Sequence, residues 1–154
     1  MKKIILTLSL FFIGTVVCHA EGPVPPKGFS FITLQEKGKK SSYYRYWKDY
    51  VSPENKNEAI YRQYSMPFFD GSDDTLIFLS VFDLLACGVN NCPYQVVLRQ
   101  SNGNEKTVLE GIGPNVPEAM FSVKSNGQKP VTINVGNFIF SYDEKAGKYV
   151  ESRK

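Results

Sequence analysis

Histidine is almost missing from this chain: one residue, His19, among 154. It falls inside Met1–Ala20, a stretch built like a secretory signal, with Lys2 and Lys3 at the start and an apolar run from Ile4 to about Val17. Cys18-His19-Ala20 then sets small residues at the two positions a signal peptidase reads. Cleavage is expected after Ala20, which leaves a chain without imidazole. A Ser-His-Asp triad, a Cys-His dyad and the His-containing zinc sites are then excluded. Phosphate-cradling glycine loops of the GxGxxG or GxxxxGK[ST] type are also absent. The single long apolar run is short for a membrane span and is cut off by Glu21-Gly22-Pro23-Val24-Pro25-Pro26, so no stable membrane insertion is expected. Thr15-Val16-Val17 lacks the small residue that precedes a lipidated cysteine, which argues against an anchor at Cys18.

An excess of charge of one sign is also missing. The full chain carries a formal charge of +3, and loss of Lys2 and Lys3 with the signal brings basic and acidic residues close to balance. No concentrated basic stripe remains, so nucleic acid is excluded as a partner. Cysteine is reduced to Cys87 and Cys92. In an exported chain this pair reads as a disulfide, and its spacing is too wide for a CxxC redox motif. The ring Cys87-Gly88-Val89-Asn90-Asn91-Cys92 is small, and its closure is worth only about 2 kcal/mol by chain entropy. Such a bridge pins a turn rather than the fold.

What is present is aromatic residues and short apolar segments separated by turn formers. The expected organisation is a signal peptide over 1–20, a Pro-rich leader over 21–28, and one domain over 29–154. A first strand is expected near Phe29–Thr33, ending at a turn over Glu36–Lys40. Ser52-Pro53-Glu54 reads as a helix start, with a cap, a proline at the first helical position and a favourable acid, which predicts a short helix over about 53–64 that carries Tyr61 and Tyr64. Thr75–Ala86 is almost continuously apolar and reads as the central strand. Pro93–Gln100 follows as its hairpin partner across the disulfide ring. Further strands are expected at Lys106–Ile112, Met120–Lys124, Val131–Val135, Asn137–Tyr142 and Lys148–Glu151. The fold class is mainly β, a β-rich α+β chain whose antiparallel sheet curls into a half-barrel or sandwich with one short helix.

Carboxylates are the remaining source of catalytic or metal chemistry. Asp70, Asp73 and Asp74 surround Gly71 and are candidate calcium ligands, though the spacing lacks the regular ligands and distal Glu of an EF-hand. A solvated turn is the alternative, and no cofactor is otherwise implied. Asp83 stands in Val81-Phe82-Asp83-Leu84-Leu85, where an unpaired charge would be costly. A bulge, an edge, or pairing with Arg99 or Arg45 would account for it.

Binding is the stronger signal. Tyr43-Tyr44-Arg45-Tyr46-Trp47-Lys48-Asp49-Tyr50 concentrates the residue types that dominate interface energetics, and Tyr44, Arg45, Tyr46 and Trp47 are the candidate contacts on whichever face stays exposed. The other face fills the core. Gly88, Asn90 and Asn91 of the bridged loop are the second group, since a covalently fixed loop loses little entropy on insertion into a partner. Their turn chemistry alone would also explain them.

The signal, the small strand-rich domain, the single bridge and the Cys87-Gly88-Val89-Asn90-Asn91-Cys92-Pro93-Tyr94 hairpin together resemble small exported proteins of Gram-negative bacteria. In build the chain is similar to periplasmic lysozyme inhibitors and to immunity proteins against cell-wall-degrading toxins. The resemblance is one of type: the Ser-Gly then Tyr signature of C-type lysozyme inhibitors is replaced by Ser41-Ser42-Tyr43-Tyr44, and no inhibitory residue is carried over. It implies a periplasmic protein-binding module, an inhibitor or immunity protein without enzymatic activity. A glycan- or envelope-binding module and a carboxylate-dependent hydrolase are the alternatives.

Overall fold

The central apolar run shows no polar alternation because its sheet is covered on both faces. In the computed structural model, which describes residues 27, 30–31, 35–36, 46–47, 51, 59–83, 87, 91–114 and 120–152, ten strands form two antiparallel sheets. They are β1 (Ser30–Phe31), β2 (Gln35–Glu36), β3 (Ile60–Pro67), β4 (Thr75–Phe82), β5 (Asn91–Arg99), β6 (Glu105–Pro114), β7 (Phe121–Lys124), β8 (Thr132–Val135), β9 (Phe138–Asp143) and β10 (Lys148–Glu151). One sheet has the order β2-β3-β4-β5-β6 and the other β1-β7-β8-β9-β10. They are not joined into a barrel, so of the two expected shapes the chain takes the sandwich.

The inner faces share one core. Leu76, Phe78, Tyr94, Val96 and Leu98 of the first sheet pack with Phe121, Ile133, Val135 and Tyr149 of the second. Phe121 meets both Phe78 and Tyr94 edge-on, at centroid distances of 5.1 and 5.4 Å, an arrangement the aromatic quadrupole favours. On the outer face of the first sheet, Tyr61, Ile77, Leu79, Val81 and Val97 lie under Trp47, Val51 and Ala59. Burial on both faces makes Leu76–Val81 a continuous apolar run with one exception, Ser80.

The β4–β5 hairpin lies where expected, with Ser80 opposite Tyr94 and Thr75 opposite Arg99. Its end is closed by the Cys87–Cys92 disulfide. Against β6 the register slips between Val96 and Val97, which face Leu109 and Thr107. Val108 is the extra residue of this bulge, and both it and Leu109 are buried. The later strands lie close to their expected positions.

The helix expected over 53–64 is corrected in its second half. Ile60–Pro67 is strand β3, paired along its whole length with β4 from Ile60↔Phe82 to Pro67↔Thr75. This long-range ladder outweighs the local capping signal, whose residues 52–58 lie outside the described ones. Tyr61 and Tyr64 consequently point to opposite faces of the sheet, Tyr61 into the outer cluster and Tyr64 against the inner core. β2 ends at Glu36, where the first turn is expected to start, and pairs with β3 through Gln35↔Gln63 and Glu36↔Arg62. The expected signal and leader lie outside the described residues except for Lys27, and no described helix is long and apolar enough to cross a membrane.

Candidate functional site

The two ends of the sandwich are finished differently. At one end lie the β3–β4, β5–β6, β7–β8 and β9–β10 connections, and polar groups tie them to one another. Asp70 donates its N–H to the Gly127 carbonyl at 3.0 Å and accepts the Ser125 hydroxyl on Oδ2 at 2.8 Å. Val131 N–H reaches the Phe68 carbonyl at 3.1 Å, which couples the two sheets. Asp74 Oδ1 accepts the Ser101 N–H at 2.9 Å, and Lys106 Nζ donates to the Gly147 carbonyl at 2.9 Å. Two of the candidate calcium ligands are thus occupied in holding loops. Among the described residues no group of three or more acidic, Cys or His side chains is arranged to hold a metal ion.

The other end carries the disulfide and the β8–β9 turn. Cys87 N–H donates to the Asp83 carbonyl at 2.7 Å, and Asp83, itself buried, directly follows β4 beside the bridge. Of the partners expected for it, Arg99 lies at the far end of the sheet, where its guanidinium contacts Glu105 Oε1 at 2.7 Å, and Arg45 lies outside the described residues. The β8–β9 turn is Gly136-Asn137, with φ of 59° at Gly136. A positive φ at the first central residue and none at the second suits a two-residue hairpin turn of type II′, a position made for glycine. The amide of Asn134 holds it from beneath, with Nδ2 donating to the Gly136 carbonyl at 3.0 Å and to Ser122 Oγ at 3.1 Å.

Between this turn and the end of β6 is a cleft of about 210 Å³, bordered by Asn91, Ile112, Gly113, Pro114, Gly136 and Phe138. Its base is core. Tyr94 lies across β6, and a Cβ at Gly111 would come within 2.9 Å of the Tyr94 hydroxyl; a Cβ at Gly113 would come within 3.0 Å of Val135. The missing side chains let the aromatic ring and the second sheet close under the cleft. Burial raises the pKa of Tyr94, which keeps the phenol neutral. Ile112 is 74% and Phe138 56% exposed, the two most exposed large apolar side chains of the described residues.

The aromatic segment divides. Trp47 has no exposed surface and serves the outer core, so it is withdrawn from the expected contacts. Tyr46 is half-buried, its hydroxyl donating to Glu105 Oε2 and its carbonyl accepting Gln95 Nε2 at 3.3 Å. Tyr44 and Arg45 lie outside the described residues, as do Gly88 and Asn90. Asn91 is exposed at the start of β5 and borders the cleft. Ile112 and Phe138 were not among the sequence candidates. Ile112 shares a phase of β6 with the exposed Glu110 and is therefore an apolar residue where a polar one belongs, a signal that alternation carries.

The sheet edges offer little to a partner strand. β1 and β2 have two residues each, β10 has four, and β6 carries a bulge and ends in Pro114. Such edges are poor templates for strand addition, so recognition falls to side chains. In comparisons with known proteins, no family model, no curated protein and no solved structure matches the chain.

Proposed function

We propose that the chain is exported to the periplasm and binds another protein there through the bridged end of the sandwich, acting as an inhibitor or immunity protein toward a cell-wall-active enzyme. One observation carries the reading: two large apolar side chains stand exposed on the borders of a single cleft, at an end held by a disulfide. Exposed apolar surface next to a polar rim marks interaction sites, and a rigid rim keeps the entropic cost of binding small. The disulfide also fits an oxidising compartment. The bridged loop with Asn91 stays in the contact surface, joined by Ile112 and Phe138, while the carboxylates Asp70, Asp74 and Glu105 hold structure together. The glycan reading has a smaller foothold, a concavity of about 270 Å³ at the tied end lined in part by Thr132, Ser141, Tyr142 and Glu144.

The test measures complex formation and inhibition with a set of purified wall hydrolases, lysozymes included, using the wild-type protein and the Ile112→Asp and Phe138→Asp variants. A stoichiometric complex that each variant weakens about tenfold or more is expected. A complex insensitive to both variants, or saturable binding only to wall glycan, would overturn the reading.

A further inference from the structure

The tripeptide Ser-Asn-Gly occurs twice, as Ser101-Asn102-Gly103 between β5 and β6 and as Ser125-Asn126-Gly127 between β7 and β8. Both copies lie at the tied end, and in both the Asn and the Gly are exposed. Each Gly has a positive φ, 87° at Gly103 and 67° at Gly127, with open space where a Cβ would stand. Local sequence, exposure and glycine conformation are therefore shared. What differs is how each asparagine amide is held.

An asparagine before glycine is open to attack by its own chain, because glycine has no side chain to shield the backbone nitrogen that follows. Asn102 is held in a way that favours this. Its Oδ1 accepts the Asn104 N–H at 2.9 Å, which draws electron density from Cγ and sets a donor where negative charge develops on attack. Gly103 N–H donates to the Gln100 carbonyl at 2.8 Å, and this bond of the turn has to open first. Asn126 is held through its leaving group instead. Its Nδ2 donates to the Pro130 carbonyl at 2.8 Å and to Thr132 Oγ1 at 2.9 Å. Gly127 N–H meets Ser125 Oγ at 3.2 Å, and the Gly127 carbonyl accepts the Asp70 N–H at 3.0 Å. A carboxylate at this position would face the Pro130 carbonyl with no proton to share.

We propose that Asn102 is a site of spontaneous deamidation in the folded protein and that the fold protects Asn126. The Gly103 nitrogen gives its proton to solvent and bonds to Cγ of Asn102, the Cγ–Nδ2 bond breaks, and the nitrogen takes a proton from water and leaves as ammonia. Water then opens the succinimide ring at Cγ or at the main-chain carbon, leaving aspartate or isoaspartate. Each of the two hydrogen bonds from Asn126 Nδ2 shifts an opening equilibrium by about fivefold, so native Asn126 should react about tenfold or more slowly than Asn102. The modified turn belongs to the tied end, and the inference is independent of the binding surface proposed above.

The test incubates the purified protein in mildly alkaline buffer, native and in denaturant, and follows both sites by mass-resolved peptide mapping with isoaspartate detection. In the native protein, Asn102 should convert while Asn126 lags. In denaturant the two rates should converge, since the tripeptides are the same. Thr132→Val removes one acceptor of Asn126 Nδ2 and should speed Asn126 by about fivefold with Asn102 unchanged as the internal reference. Ser125→Ala, which removes the acceptor of Gly127 N–H, should act in the same direction. Native Asn126 converting as fast as Asn102, native Asn102 remaining intact while the denatured site converts, or a rate difference that persists in denaturant would overturn the proposal. Neither variant speeding Asn126 would equally overturn its protection by the fold.

Discussion

The tied end and the bridged end of this sandwich solve the same problem, the closing of two sheets over one core, with different materials. The tied end uses hydrogen bonds between loops, from Asp70 to Gly127, Asp74 to Ser101 and Lys106 to Gly147. The bridged end uses a disulfide, a glycine turn and close backbone approach at Gly113, and it leaves Ile112 and Phe138 in solvent. Polar side chains at the first end are consumed by the fold. At the second, apolar side chains remain that the fold does not use. Density of chemically interesting residues is therefore a poor guide to exposed surface: the Asp-rich turn and Trp47 serve the fold, while an isoleucine on an edge strand stands in solvent beside the cleft.

The comparison can be broken at four places. Beneath the cleft, Tyr94→Ala removes a buried ring packed on Phe121 and over two glycines. Its expected cost is about 3 kcal/mol or more in urea unfolding, and a much smaller loss would mean that the base of the cleft is not core. Replacing both Cys87 and Cys92 by Ala should cost about 2 kcal/mol and leave a folded sandwich, checked by reversible unfolding with and without reductant. At the tied end, Asp70→Ala and Asp74→Ala should each cost about 1 kcal/mol with no effect on partner binding, because each removes a loop tie. Ile112→Asp and Phe138→Asp should move stability least, within about 0.5 kcal/mol, and binding most. If these two destabilise more than the aspartate variants, the contrast between the ends is wrong.

Much of the fold was legible because its strongest features are local. The apolar run at Thr75, the turn residues between Cys87 and Cys92, and the alternation after Pro93 define the β4–β5 hairpin without help from the rest of the chain. What was not legible is tertiary. Ser52-Pro53-Glu54 is a sound helix start, yet Ile60–Pro67 is held by eight cross-strand positions that no local window contains. The aromatic segment was recognisable as dense, but that Trp47 covers the outer face of the central sheet follows only from a sheet buried on both sides. The candidate site was half visible: Asn91 came from the bridged loop, while Ile112 and Phe138 border one cleft only because β6 ends and β9 begins there, in different sheets.

The most direct test asks which end touches the proposed partner, with the protein produced in the proposed compartment, the cell envelope. A photo-crosslinking phenylalanine analogue placed at Asn91 or Asn137 on the bridged end, and at Lys129 or Lys145 on the tied end, reports contact whatever the partner is. The expected result is a discrete protein adduct from the first pair, abolished by Ile112→Asp, and none from the second. Adducts from Lys129 or Lys145 alone, or adducts from the bridged end that survive Ile112→Asp and Phe138→Asp together, would contradict the assignment of the binding surface.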